Sequence, residues 1–296
     1  MSLFDRATEA HRNGRHKEAE DLYRKIIAKD SRNFDALHML GIVCSELGQL
    51  SDAERFFRAA LSIDPSFPPC YHNFGLFFAK TRRFEKAIEQ FDKALACFPK
   101  YAQVHSDRGS ALLQLERWDE ALASHDRAVA LAPGTSSFWY SRGIMHSRRG
   151  NHVSALSDFD QAIKLNGNYA DAWAGRGSAL FELGRYDEAL IAQGKAVALK
   201  PQFATAWNGR GDALAKLERF SEAISAYDEA LKIEPALVGS INGRANVLTE
   251  LKRHHEALAE YEKATGIDPD FAVAWHGLGN ILAELERYDE AFAAYE

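Results

Sequence analysis

The clearest pattern of apolar and polar positions lies in the stretch 204–237. The first part of this stretch has one helical face, with residues at i, i+4, i+7 and i+10: Trp207, Gly211, Leu214 and Leu217. The second part has another such face: Phe220, Ala223, Ile224, Tyr227, Ala230 and Leu231. Pro235 follows the second face and prevents the helix from continuing. The pattern predicts two helices joined by a short turn, neither of which could bury its apolar face alone.

The same unit recurs at a constant interval along almost the whole chain. Glycines keep this interval at Gly41, Gly75, Gly109, Gly143, Gly177, Gly211 and Gly279, with Ala245 in the one gap. Alanines keep it in the second helix, for example at Ala121, Ala155 and Ala189. Small residues at these places predict close approach of two helices, with large side chains filling the space beside them. Each unit is expected to bury its apolar face against its neighbours.

The register divides the chain into nine units without an insertion. A degenerate first unit covers residues 1–33, and an incomplete ninth unit covers 272–296. Seven full units lie between them: 34–67, 68–101, 102–135, 136–169, 170–203, 204–237 and 238–271. Since a solenoid needs a polar terminal cap, the incomplete ninth unit favours a fragment of a longer polypeptide over a natural truncation. Unit positions are counted below from the first residue of each full unit, so that Phe34 is position 1.

The segment WNGRGDAL, followed by Ala223, Tyr227, Ala230 and Pro235, resembles the tetratricopeptide repeat, which has a 34-residue period. The resemblance implies an all-α fold, an α-solenoid in which antiparallel helix pairs form a right-handed superhelix. It also implies that the first helix of each unit lines a concave groove that binds a peptide or a partner protein. The N-terminal repeats are in addition similar to bacterial repeat arms fused to protein O-GlcNAc transferases.

Composition and charge limit the classes of function that the chain can have. The chain is 46% hydrophobic and 26% charged with a net charge of −6, which is typical of a folded cytoplasmic protein and argues against nucleic acid as a partner. No apolar run is long enough to insert into a membrane. The three cysteines are too few for a disulfide framework, and Cys44 stands at a core position.

Positions 5, 6, 9 and 12 of the first helices lie on a different face from the apolar stripe and vary between units. They give the candidate partner-binding residues: His38, Ile42, His72, Asn73, Leu76, Leu113, Tyr140, Ile144, Phe181, Asn208, Asp212, Asn242, Asn246, His276 and Asn280. The earlier members are mainly apolar and the later ones are rich in amides, which can donate to and accept from a peptide backbone. An ordinary solvated face would vary in the same way, so both interpretations stay open.

Glycine occupies position 6 in four later units, where the transferase-like arms have an asparagine ladder: Gly175, Gly209, Gly243 and Gly277. We expect these glycines to deepen the groove and to let the backbone of a partner approach.

Arginine replaces the usual leucine before the repeat glycine in five units: Arg108, Arg142, Arg176, Arg210 and Arg244. An acidic residue precedes the arginine at one constant interval in four of these cases, as Asp92 precedes Arg108, and Gly194 breaks the series before Arg210. The spacing predicts ion pairs between successive units, whereas a basic stripe for an acidic ligand is the alternative.

The sequence predicts no catalytic, cofactor or metal site. His38 and His72 lie one unit apart and could bracket a metal, but no cysteine or carboxylate supports them. No zinc-protease motif, phosphate loop or nucleophile elbow is present. Histidines replace core residues at His105, His125 and His146, which predicts a joint near residues 102–150 that loosens as the pH falls.

Two functions therefore remain. The first is a non-catalytic scaffold that binds a peptide or partner protein in the groove. The second is the substrate-recognition arm of a larger enzyme, such as a glycosyltransferase, with its catalytic domain beyond residue 296. Self-association through the uncapped C-terminal end is a further possibility.

Overall fold

The computed structural model describes all 296 residues and consists of eighteen α-helices joined by short turns, without a β-strand. The helices are α1 Leu3–Arg12, α2 His16–Lys29, α3 Phe34–Glu46, α4 Leu50–Ile63, α5 Pro68–Lys80, α6 Phe84–Cys97, α7 Ala102–Gln114, α8 Trp118–Leu131, α9 Ser136–Arg148, α10 His152–Leu165, α11 Ala170–Glu182, α12 Tyr186–Leu199, α13 Ala204–Lys216, α14 Phe220–Ile233, α15 Val238–Glu250, α16 His254–Ile267, α17 Ala272–Glu284 and α18 Tyr288–Tyr295. None of these helices is long and apolar enough to cross a membrane.

The turn inside each helix pair needs one residue in the left-handed region of backbone space. Gly14, Gly48, Gly150 and Gly184 supply it with φ between +71° and +78°. Non-glycine residues adopt the same conformation in other pairs, as Glu218 does with φ +59°. Because a Cβ atom opposes this conformation, the backbone is strained in the turns that have a non-glycine residue there. The tight pairing of the two helices outweighs that strain.

In most helix pairs the repeat glycine of the first helix makes room for a ring from the second helix, whereas Gly177 faces a glutamine. A Cβ atom on Gly211 would lie 2.5 Å from the ring of Tyr227, and one on Gly75 would lie 2.4 Å from the ring of Phe91. No real Cβ contact is this short, so only glycine fits without displacing the ring. The steric reason that the sequence suggested for these glycines is confirmed.

The tryptophans that begin the apolar stripe also fix the preceding turn. Trp207 Nε1 donates to the carbonyl of Pro201 at 3.0 Å, and Trp139 Nε1 donates to the carbonyl of Pro133 at 2.8 Å. His105 stands at the tryptophan position of its repeat, and its Nε2 lies 2.9 Å from the carbonyl of Pro99. Burial lowers the pKa of His105, which favours its neutral form. The expected softening of this region at low pH stays a prediction.

The arginine series forms ion pairs with the preceding second helix. Arg108 Nε lies 2.6 Å from Asp92, and Arg142 lies 2.7 Å from Asp126. Arg176 Nε lies 2.7 Å from Asp160. These contacts confirm the ion-pair ladder. Where Gly194 removes the acid, Arg210 keeps only the tryptophan contact that Arg142 and Arg176 also make, with its guanidinium 5.3 Å from the ring centroid of Trp207.

The helices divide into two compact bodies, Met1–Met145 and His146–Glu296, which we call the N-terminal half and the C-terminal half. The N-terminal half has one large apolar cluster that is rich in phenylalanine, including Phe57, Phe77 and Phe91, and a smaller cluster around Phe138. Cys44 is buried in this core, as expected, and burial raises the pKa of its thiol to about 11.

The C-terminal half is filled by several smaller apolar clusters, one of them around Leu214, Tyr227 and Val247. At the end of this half, Tyr288 and Phe292 of α18 are 66% and 64% exposed. Self-association through this end stays a prediction.

Candidate functional site

In the N-terminal half, the two candidate histidines join successive repeats. His38 Nε2 lies 3.0 Å from Asn73 Nδ2, and His72 Nε2 lies 2.7 Å from Asp107 Oδ2. Burial lowers the pKa of His38 to about 4, so that its ring is neutral at pH 7 and Nε2 can accept from the asparagine. His38, His72 and Asn73 therefore make contacts between repeats.

The apolar candidates of the N-terminal half differ in their exposure. Leu76 is 40% exposed, whereas Ile42, Tyr140 and Ile144 are partly buried. Leu113 is 5% exposed and belongs to the core, so its assignment to a binding surface is wrong. Its side chain is covered by neighbouring helices of the core, which a count of helical positions could not reveal.

The polar candidates of the C-terminal half form a hydrogen-bonded group around Asp212. Asn208 Nδ2 donates to Asp212 Oδ2 at 2.8 Å, and the Tyr227 hydroxyl donates to Asp212 Oδ1 at 2.8 Å. The Ser240 hydroxyl of the next repeat donates to Asn208 Oδ1 at 2.8 Å. Burial raises the pKa of Asp212 to about 6, although the bonds from Tyr227 and Asn208 act in the opposite direction. The carboxylate is thus oriented by side chains from α13 and α14, and Ser240 of α15 in turn orients Asn208.

Tyrosines of the second helices also belong to the candidate site, although the sequence placed Tyr227 only on the apolar face of its helix. The Tyr261 hydroxyl donates to Asn246 Oδ1 at 2.6 Å, and the Tyr295 hydroxyl donates to Asn280 Oδ1 at 2.7 Å. Each hydroxyl reaches position 9 of the first helix in its own pair.

The sequence contains a pattern that predicts the hydrogen bonds of these tyrosines. Repeats with tyrosine in the second helix have a polar residue at position 9 of the first helix, at Asp212, Asn246 and Asn280. Repeats with phenylalanine in the second helix have an apolar one: Ile42, Leu76 and Ile144. The two positions change together because a tyrosine hydroxyl needs a polar partner when the ring is buried.

The glycines at position 6 pack against rings and side chains of the preceding second helix. A Cβ atom on Gly243 would lie 2.6 Å from the ring of Tyr227, and one on Gly277 would lie 2.3 Å from Tyr261. Gly175 faces Phe159 and Gly209 faces Gln193 in the same way. The expectation that these glycines deepen a groove for the backbone of a partner is therefore wrong, since the neighbouring second helix already fills the space.

The Asp212 group borders a cavity of about 390 Å³ in the C-terminal half. Its polar lining includes Asp212, Glu218, Glu250, Lys216, Asn242 and Asn246, so three carboxyl groups stand against one ammonium group. Its apolar lining includes Phe181, Phe220, Tyr227 and Val247. The cavity thus brings together four of the predicted residues, Phe181, Asp212, Asn242 and Asn246.

The remaining candidates lie outside this cavity. Asn208 contacts Asp212 from within α13, as described above. His276 lines a second cavity of about 440 Å³ beside α18, together with Trp275 and Tyr295. Asn280 is exposed on α17 and bonded to Tyr295.

Helix pairs that recur at a fixed length, with a ring of one helix seated on a glycine of the other, define an α-solenoid repeat protein. Sequence profiles of the tetratricopeptide repeat match residues 10–73, 74–136, 106–166, 140–202, 204–237 and 245–285. The chain belongs to the tetratricopeptide repeat family.

Several solved structures have the same fold. A chain of the APC/C hetero-tetramer Cut9–Hcn1 is 19% identical with a TM-score of 0.70 over 95% of this chain. A tetratricopeptide repeat protein from Parabacteroides merdae is 18% identical with a TM-score of 0.67, covering 84% of this chain and 98% of its own. YrrB, a repeat protein with an unusual peptide-binding site, is 22% identical with a TM-score of 0.51, covering 63% of this chain and 96% of its own.

The chain spans about half of the Cut9–Hcn1 chain, namely 55% of its length. No curated protein matches the sequence. At these identities the likenesses show a common fold.

Proposed function

We propose that the chain is a protein-interaction scaffold in which the C-terminal half binds an extended peptide segment of a partner. The observation that carries this proposal is the cavity beside α13 and α15, where oriented polar groups from several repeats surround a space of about 390 Å³. Such a combination of a partly apolar cavity with a few oriented polar groups is typical of binding sites.

The charge of the cavity favours a basic side chain. Asp212, Glu218 and Glu250 outnumber Lys216 along the lining. A lysine or arginine of the partner could place its aliphatic stem against Phe181 and its cationic end near Asp212. The cation would also offset the burial of the Asp212 carboxylate, whose pKa is raised to about 6.

The amides would hold the backbone of the peptide. Asn246 Oδ1 accepts from Tyr261, which leaves the Nδ2 group of this exposed side chain to donate to a peptide carbonyl. Because the tyrosine fixes the orientation of the amide, little conformational freedom is lost on binding.

Selection of phage-displayed peptides against the whole chain tests the proposal. We expect the selected peptides to be enriched in lysine and arginine, and Asn246→Ala to weaken their binding by about fivefold, the value of one hydrogen bond. The control is Ser110→Ala, an exposed position-9 residue in α7 of the N-terminal half, which should bind unchanged. Selected peptides without basic residues, or equal losses for both variants, would contradict the proposal.

The hypothesis that the repeats are the substrate-recognition arm of a larger enzyme stays a prediction. In that case the same cavity would bind a basic segment of the protein substrate, and the peptide experiment would give the same result.

A further inference from the structure

Two histidines and one glutamate meet at the beginning of the N-terminal half, far in sequence from the peptide cavity. Glu46 Oε2 lies 2.7 Å from His11 Nε2 and 3.0 Å from His16 Nδ1. One ligand atom from each of the three residues lies within 4.8 Å of the other two. His16 Nδ1 is buried and makes no hydrogen bond in spite of the nearby carboxylate oxygen.

The fold builds this group from three helix ends. His11 lies in the last turn of α1, and His16 is the first residue of α2. Gly14, with φ +71°, closes the turn that brings the two rings to a centroid distance of 5.5 Å. Glu46 is the last residue of α3, so the next helix pair contributes the carboxylate.

Two imidazoles and a carboxylate form a ligand set suited to a divalent transition metal of the zinc class. With zinc–ligand distances of about 2.0–2.2 Å, neighbouring ligand atoms in a tetrahedral site lie about 3.3 Å apart, so small side-chain rotations would adapt this group to the metal. The side chains of His16 and Glu46 are 36% and 38% exposed, which leaves an approach for water as a fourth ligand. Arg15 is paired with Glu18 at 2.7 Å, which offsets the nearest positive charge on the turn.

The chain contains a natural comparison for this group. His254 Nδ1 lies 2.9 Å from Glu284 Oε2 at the equivalent positions of two later helix pairs. The residue equivalent to His11 is Thr249, whose hydroxyl donates to the carbonyl of Ala245 within its own helix. The later pair therefore has two of the three ligands, which sets the first group apart from an ordinary repeat contact.

We propose that His11, His16 and Glu46 bind one zinc-class divalent metal ion, which links the first helix pair to α3. The metal would fasten this helix pair to the rest of the N-terminal half. The sequence analysis predicted no metal site, because Glu46 approaches the histidines only once α3 has packed beside the first pair.

Titration of the whole chain with Zn²⁺ in a calorimeter, and with Co²⁺ by visible absorption, tests the proposal. We expect about one metal per chain and a slower hydrogen exchange of α1 in the loaded protein. His11→Ala, His16→Ala and Glu46→Gln should each weaken binding by about tenfold or more. Circular dichroism should show that the variants keep their helices.

Two variants in α15 and α16 act as matched controls. His254→Ala should leave metal binding unchanged, and Thr249→His should add a second equivalent of bound metal, because it completes the later group. The proposal is overturned if the chain binds no Zn²⁺ at about 100 µM, well above the affinity expected of a three-ligand zinc site, or if binding survives all three ligand substitutions. In that case the group is only a hydrogen-bonded histidine–glutamate pair.

Discussion

A tyrosine on the second helix goes with a polar residue at position 9 of the first helix, and a phenylalanine goes with an aliphatic one. Where the ring is a tyrosine, as at Tyr227 and Tyr261, its hydroxyl binds Asp212 or Asn246. Where the ring is a phenylalanine, as at Phe57, the residue at position 9 is aliphatic. The ring remains part of the core in both cases, so one oxygen atom lets a core residue also support the proposed binding surface.

The ionisation of Asp212 gives a pH-dependent stability. Burial raises the pKa of Asp212 in the folded chain to about 6 from the ordinary 3.8. The stability that the protonated carboxyl group contributes to the fold is therefore fully present below pH 3.8 and is lost as the pH rises through 6. The ionised form then costs up to about 3 kcal/mol at pH 7.5. We expect Asp212→Asn to raise the melting temperature more at pH 7.5 than at pH 4, as measured by calorimetry. An equal effect at both pH values would show that the carboxylate is not desolvated.

The strain at Glu218, a turn residue with a positive φ, gives a second prediction at the residue scale. Glu218→Gly should raise the free energy of unfolding by about 0.5–1 kcal/mol, because glycine adopts positive φ without a clash of its Cβ atom. The matched change Gly184→Ala should lower it by about 1 kcal/mol or more. Urea denaturation measures both values. Changes of the same sign would contradict the strain assigned to Glu218.

At the scale of the element, neighbouring first helices are joined by side chains rather than by the backbone. Ser240 of α15 donates to Asn208 Oδ1 of α13. The residue equivalent to Ser240 in α17 is Ala274, which has no hydroxyl, and Asn242 Oδ1 is buried without a hydrogen-bond partner. The contact between α13 and α15 thus has both its donor and its acceptor, whereas the contact between α15 and α17 lacks the donor.

Exchanging these two residues should change the stability in opposite directions. Ser240→Ala should lower the free energy of unfolding by about 1 kcal/mol, since it leaves Asn208 Oδ1 unpaired in a partly buried place. Ala274→Ser should raise it by about 0.5–1 kcal/mol by giving Asn242 a donor. Chemical denaturation of both variants beside the wild type checks this. A loss of stability in Ala274→Ser would show that the site has no room for the hydroxyl.

Helix pairs were predictable from the sequence because their apolar period, glycines and prolines repeat. The ion pairs of Arg108 and Arg176 were predictable as well, since the interval between the acid and the arginine is the same in each case. The burial of Leu113 and the contacts of Gly243 were not, because they depend on how far the side chains of a neighbouring helix reach.

The cluster of His11, His16 and Glu46 was not predictable either. It depends on packing between separate helix pairs, so it leaves no local pattern in the sequence.

At the scale of the molecule, the two halves use the same positions of their first helices in different ways. The N-terminal half uses the face of its first helices largely for contacts between repeats, as with His38 and Asn73. The C-terminal half uses the same positions to surround an acidic cavity. We propose that this cavity binds a basic side chain of a partner.

A double-mutant cycle between Asp212 and the basic residue of a selected peptide tests that claim most directly. Dissociation constants are measured for the wild type and Asp212→Asn, each with the lysine peptide and its norleucine analogue. We predict a coupling energy of about 1.5 kcal/mol or more, the value of a hydrogen bond to a charged group. The control Glu229→Gln, on α14 and paired with Lys232, should show no coupling to the same lysine. A coupling energy of zero for Asp212 would contradict the account.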